Sequence, residues 1–186
     1  MTQRIAVIVG SLRKASWNRK LAQALAACAP STLSFDRVDI GELPIYNQDL
    51  DDDHQPPQAW TDFRDKMKTF DGVLFVTPEY NRSVPGVIKN AIDVGSRPYG
   101  SSIWAKKPCA VVSASISAMG GFGANHHLRQ CLVFLDMPVL QQPEAYIGGV
   151  DKLFDEKGEI TREGTQQFIS KLMADFAQWV SIHAPA

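Results

Sequence analysis

Ile5-Ala-Val-Ile-Val9 runs without a break into Gly10-Ser11-Leu12-Arg13-Lys14-Ala15-Ser16-Trp17-Asn18. The first five residues are apolar and mostly β-branched, the pattern of a strand buried on both faces. Gly10 and a set of short polar residues follow. Leu21, Ala22, Leu25 and Ala26 then recur at helical spacing across Asn18 to Cys28. The stretch therefore reads as a buried strand, a tight polar loop and a helix.

Further along the chain the same unit repeats. Leu33 to Ile40 alternates apolar and polar positions, which suits a strand near a sheet edge. Gly72 to Thr77 and Cys109 to Ala114 are again uninterrupted, and Pro138-Val-Leu-Gln141 is a shorter fifth run. Helical spacing appears from Pro57 to Phe70, Pro85 to Val94, Phe122 to Leu135 and Glu163 to Ile182, the last with Phe168, Leu172, Phe176 and Trp179 as a docking face. Strands alternating with helices imply a parallel sheet covered on both sides, with right-handed crossovers. The expected fold is α/β: a flavodoxin-like, doubly wound five-stranded sheet of order 2-1-3-4-5, forming one domain over residues 1–186. Ligands of such sheets bind outside the strands' carboxyl ends at the switch point, so the loops after the first, third and fourth strands should converge there.

Composition narrows the choice of partner. The 186 residues are 45% hydrophobic and 21% charged, with a formal net charge of -1. That balance gives no electrostatic footprint for nucleic acid or an anionic membrane. Cys28, Cys109 and Cys131 are odd in number and show no metal-ligand spacing, which reads as buried thiols in a reducing compartment. No signal-peptide pattern opens the sequence and no apolar stretch approaches the ~20 residues a membrane span needs. The expected location is the cytoplasm.

Each of the three loops has a chemical reading and a plainer one. In Gly10 to Asn18, Gly10 allows a tight exit from the strand, and Ser11, Ser16 and Asn18 offer short hydrogen-bonding groups. Arg13, with Lys14, Arg19 and Lys20, adds local positive charge. A new helix offers free N–H groups to an anion, so a dianionic phosphate fits; a helix cap with solvated basic residues fits the same letters. Neither a Walker A nor a G-x-G-x-x-G pattern is present. In Thr77 to Gly86, Pro78 and Pro85 stiffen the loop. Tyr80 and Asn81 could line a flat heteroaromatic ring, with loop N–H groups on the edge where negative charge grows on reduction; a proline-capped turn is the alternative. In Ser113 to Gly123, small residues let backbone approach a ligand. Ser115 or Ser117 as a hydrolytic nucleophile lacks a G-x-S-x-G elbow and a base.

In these residues the chain resembles the NADPH-dependent FMN reductase family, which includes bacterial quinone and chromate reductases. The matching motifs are Gly10-Ser11-x-Arg13-x-x-Ser16-x-Asn18, Thr77-Pro78-Glu79-Tyr80-Asn81 and Pro85-Gly86-x-x-Lys89-Asn90-Ala91-Ile92-Asp93. Ser113 to Gly121, His127-Leu128-Arg129-Gln130 and Pro44-Ile-Tyr-Asn-Gln-Asp-Leu50 also match. The resemblance implies FMN as cofactor, with Ser11, Arg13, Ser16 and Asn18 on phosphate and ribityl. It puts Pro78, Glu79, Tyr80 and Asn81 along the isoalloxazine, and Ser113, Ser117 and Gly120 on its remaining edge. It further implies NADPH or NADH as hydride donor and ping-pong transfer to a quinone, flavin, azo compound or oxidised metal such as chromate. A homodimer or homotetramer is implied too. Some members carry tyrosine at the His126 position and arginine near Gly123; this chain does not. A non-enzymatic flavodoxin-type electron carrier is the rival, although such carriers tend to be strongly acidic.

Other residues invite simpler readings. Asp49, Asp51, Asp52 and Asp53 read as a solvated acidic loop rather than a metal cluster. His126 and His127 are adjacent on a helix, so they point in different directions and make no metal pair. Lys89 and Asp93 stand at i and i+4 and can pair along their own helix, which in family members lies at the dimer contact.

Overall fold

The computed structural model describes residues 2–156 and 158–184. Its elements are β1 (Gln3–Val9), α1 (Trp17–Ala27), β2 (Leu33–Val38), α2 (Gln48–Asp52), α3 (Gln58–Lys68), β3 (Gly72–Thr77), α4 (Gly86–Gly95), β4 (Cys109–Ala114), α5 (Phe122–Phe134), β5 (Ala145–Ile147) and α6 (Glu163–His183). All neighbouring strands pair in parallel, in the order β2-β1-β3-β4-β5. The expected topology is the observed one.

The unbroken apolar runs follow from a core on each face of the sheet. Alternate residues point opposite ways along a strand. Ile5, Val7 and Val9 of β1, with Leu74 and Val76 of β3, thus pack with Leu21 and Leu25 of α1 and Leu172 and Phe176 of α6. Ala6 and Ile8, with Val73 and Phe75, pack instead with Trp60 and Met67 of α3, Ile88 and Ile92 of α4 and Leu128 of α5. Two buried indoles keep their donors satisfied: Trp60 Nε1 donates to Pro44 O at 2.9 Å and Trp104 Nε1 to Ile92 O at 3.0 Å. At the sheet edge, β2 keeps only Leu33 and Val38 buried, in line with its alternating sequence.

Two sequence expectations change. The fifth strand is Ala145–Ile147, not Pro138 to Gln141. Val139 makes only an isolated bridge to Cys109 before the chain leaves the ladder, and Pro143, which has no N–H, lies in the gap before Ala145. The acidic stretch is not merely a solvated loop: Asn47 caps α2, and Asp51 pairs bidentately with Arg64 of α3 at 2.8 and 2.7 Å. Both side chains are nearly buried, at 5% and 10% exposure, so this pair is a structural bolt between α2 and α3.

Candidate functional site

β1, β3 and β4 end side by side, and the three expected loops leave the sheet at that end. The loop after β1 is open for a ligand. Gly10 N–H donates to Val76 O at 2.9 Å, closing the exit from the strand. Gly10 is needed for space rather than for an unusual turn: a Cβ there would lie 2.6 Å from Ile88 Cδ1 and 3.1 Å from Pro78 Cδ. Ser16 is the N-cap of α1, and its hydroxyl accepts from Arg19 N–H at 3.3 Å. The cap reading of this loop is therefore correct for Ser16, but it does not account for the other groups. Among the described residues, the N–H groups from Ser11 to Asn18 donate to no protein acceptor. Asn18 is 5% exposed, and its Oδ1 has no partner while Nδ2 makes a long 3.5 Å bond to Ala114 O. Ser11 is buried; Arg13 and Lys14 are exposed. A run of orphan donors at a helix N-terminus with two exposed cations beside it fits a phosphate ester well.

The loop after β3 is held before any ligand arrives. Thr77 Oγ1 donates to Pro78 O at 2.8 Å. Tyr80 and Ser83 exchange N–H···O bonds of 3.0 Å each around Asn81 and Arg82, whose φ angles are 52° and 66°. Positive φ at both central residues is a type I′ turn. Asparagine tolerates that region; arginine there costs about 1–2 kcal/mol. Glu79 turns its carboxylate away from the turn: Oε2 accepts from Ala124 N–H in the first turn of α5 at 3.0 Å. The Glu79 and Asn81 N–H groups have no protein acceptor among the described residues. Tyr80 is 47% exposed beside them.

The loop after β4 is clamped to β5. Ser115 N–H donates to Ile147 O at 3.1 Å and Val150 N–H to Ser115 O at 3.1 Å. Gly120 has φ 58°, and a Cβ there would lie 2.6 Å from Tyr146 C, so no other residue fits without moving β5. Ser113 differs from the expectation of a group on the open edge: it is fully buried, its hydroxyl bonds Ala145 O at 3.4 Å and accepts from Asn125 Nδ2 at 3.2 Å. Its side chain faces the interior because the β4 ladder turns it there. Ser117 stays exposed, with its hydroxyl 2.9 Å from that of Ser115, and among the described residues neither bonds a histidine or carboxylate.

The two histidines diverge. Nε2 of His126 lies 2.9 Å from Tyr146 OH, and Nδ1 of His127 lies 3.0 Å from Ser83 Oγ. The Phe122 ring packs at a tilt against His126, with centroids 4.3 Å apart, and against Tyr146 at 5.2 Å. Burial, then the neighbouring Glu144, pushes the Tyr146 phenol up to about 12. Among the described residues no group of three His, Cys, Asp or Glu could hold a metal ion. Gly123 explains why no side chain stands there: a Cβ would lie 2.8 Å from Arg82 O and 3.0 Å from Glu79 Oε2. Lys89 and Asp93 pair within α4 at 2.7 Å.

A cleft of about 460 Å³ opens between Gly10 and Arg13, the Ile40–Ile45 segment, and Tyr80 to Asn90. A second hollow of about 550 Å³ lies behind Leu140–Pro143 against α6, and none of the three loops lines it. Sequence reading missed the Ile40–Ile45 wall, the Glu79 contact and the Ser83–His127 pair. The last two join residues far apart in the chain and leave no local pattern.

Comparison with known proteins agrees with this geometry. The chain is 58% identical over 179 residues to a quinone reductase of Pseudomonas putida, covering 96% of this chain and 95% of that protein. It is 47% identical over 180 residues to a 2-hydroxy-1,4-benzoquinone reductase of a Burkholderia species, covering 97% of each. Among solved structures, the flavoenzyme NAD(P)H:(acceptor) oxidoreductase FerB of Paracoccus denitrificans superposes with a TM-score of 0.92 at 39% identity, over 99% of this chain and 100% of that one. The model of NADPH-dependent FMN reductases matches residues 3–152, from β1 to beyond the clamped third loop. With the sheet order, the open donor row after β1 and these matches in agreement, the chain belongs to the NADPH-dependent FMN reductase family.

Proposed function

We propose that residues 1–186 act as a single flavodoxin-like unit that binds FMN at the three loops and reduces quinones with NADPH or NADH. The observation that carries this reading is the row of unpartnered N–H groups from Ser11 to Asn18, with the buried orphan Oδ1 of Asn18. Ser11, Arg13, Ser16 and Asn18 hold phosphate and ribityl. Pro78, Glu79, Tyr80 and Asn81 border the isoalloxazine, Glu79 and Asn81 through their free N–H groups. Ser117 and Gly120 shape the remaining edge, and Ser113 is its buried floor. Bound FMN would supply the hydride chemistry, and no residue of the chain needs to act as nucleophile or acid.

The chain's own part is orientation and electrostatics. The fixed N–H groups of Glu79 and Asn81 would be placed to favour negative charge on a bound ring, without reorganisation at the moment of reaction. The exposed phenol of Tyr80 offers a surface beside the ring for a flat donor or acceptor. A quinone is the favoured acceptor because the relatives above are named for quinones. A homodimer or homotetramer with α4 at the contact, working in the cytoplasm, completes the proposal.

The test is to release and identify the cofactor, then to measure its retention in Arg13→Ala. FMN is expected, and loss of one charged hydrogen bond worth roughly 1.5–3 kcal/mol should weaken binding tenfold or more. A purified protein that neither carries nor takes up FMN would overturn the reading.

A further inference from the structure

We infer that Glu79 and the Ser83–His127 pair are positioning residues that set the flavin's reduction potential by clasping the second loop to α5. The inference rests on the FMN reading above and deepens it. Three contacts join the Glu79–Ser83 segment to the first two turns of α5. Glu79 Oε2 accepts from Ala124 N–H at 3.0 Å. Ser83 Oγ meets His127 Nδ1 at 3.0 Å. Arg82 O approaches so closely that only a glycine fits at position 123.

These contacts have a cost that asks for an explanation. Arg82 is kept at φ 66°, a region an arginine leaves unless its surroundings hold it. The turn's internal Tyr80–Ser83 bonds fix its shape, but nothing within the turn fixes its place over the sheet. Place matters because the N–H groups of Glu79 and Asn81 are free, and hydrogen bonds weaken steeply with misalignment. A donor set aimed at an atom that gains negative charge binds the reduced ring more tightly than the oxidised one. Loosening the clasp should therefore lower affinity for reduced FMN more than for oxidised FMN.

Carboxylate charge and carboxylate geometry predict different outcomes. If Glu79 acts by accepting from Ala124 N–H, a glutamine can replace it, because its amide oxygen accepts the same bond. If its charge acted directly on the ring, removing that charge would raise the potential.

The experiment measures FMN affinity by titration of the apoprotein, and the two-electron potential of the FMN-loaded protein, for the parent, Glu79→Ala, Glu79→Gln and Ser83→Ala. Glu79→Ala and Ser83→Ala should each lose about tenfold more affinity for reduced than for oxidised FMN, a fall of about 30 mV. Glu79→Gln should restore the parent potential. The inference fails if both alanine variants keep the parent potential, or if Glu79→Gln shifts it upward. Should Glu79→Ala not fold, Ser83→Ala decides alone. A parent that binds no FMN would instead sink the functional reading, and that result is distinct from either failure.

Discussion

Tyr146 shows how a side chain beside the site can make stability depend on pH. Its phenol sits between His126 and Phe122, and burial, followed by Glu144, holds its proton up to about 12. A pKa raised on folding adds stability that is fully present below the unfolded value and disappears as pH rises through the folded one. Between the ordinary phenol range near 10 and about 12, the parent should therefore lose stability more steeply than Tyr146→Phe. Denaturant unfolding at a series of alkaline pH values measures this, and parallel curves would refute it. At the same scale, sequence showed which residue types gather at the site but not what each side chain touches. The Ser16 cap could be read from its place before a helix, but that Ser113 points inward and Glu79 reaches α5 has no signature in their own neighbours.

Among the elements, the strands were legible in proportion to their burial. β1 from Ile5 on, β3 and β4 are buried on both faces, so their central positions are apolar without a break and the runs announce themselves. β5 has three residues, too few for any period to appear, and the apolar run from Pro138 to Gln141 bridges the sheet at one residue only. α2 was hidden because its acidic letters suit a solvated loop, and only Arg64, thirteen residues away, turns Asp51 inward. Removing one partner of a buried pair leaves the other charge uncompensated. Asp51→Ala should therefore cost about 3–5 kcal/mol, while replacing Asp51 and Arg64 together by apolar residues should cost less. On the other face, Phe176 of α6 is fully buried, and Phe176→Ala should cost about 3–5 kcal/mol through lost transfer energy and the cavity left behind. Chemical unfolding of the purified variants checks all three: losses under about 1 kcal/mol in Asp51→Ala or Phe176→Ala, or a double replacement as costly as Asp51→Ala, would contradict this packing.

For the whole molecule, the doubly wound topology decides where chemistry can occur. Strand order 2-1-3-4-5 puts the exits of β1, β3 and β4 together, and a stiff sheet with a core on each face holds three loops in register. If donor and acceptor share one site there, as proposed, initial rates with NADPH and a quinone should give the parallel lines of a ping-pong mechanism. Intersecting lines would require both to bind at once. The near-neutral charge of -1 gives no large field for docking on a protein partner, so NADPH should be consumed without one. In the proposed function the Gly10–Asn18 loop holds a phosphate. The most direct measurement compares binding of FMN and of riboflavin, which lacks that phosphate, to the apoprotein by fluorescence quenching. Riboflavin should bind at least about a hundredfold more weakly, a loss of roughly 2.7 kcal/mol for the donor row and Arg13 together. Equal affinities would contradict the claim.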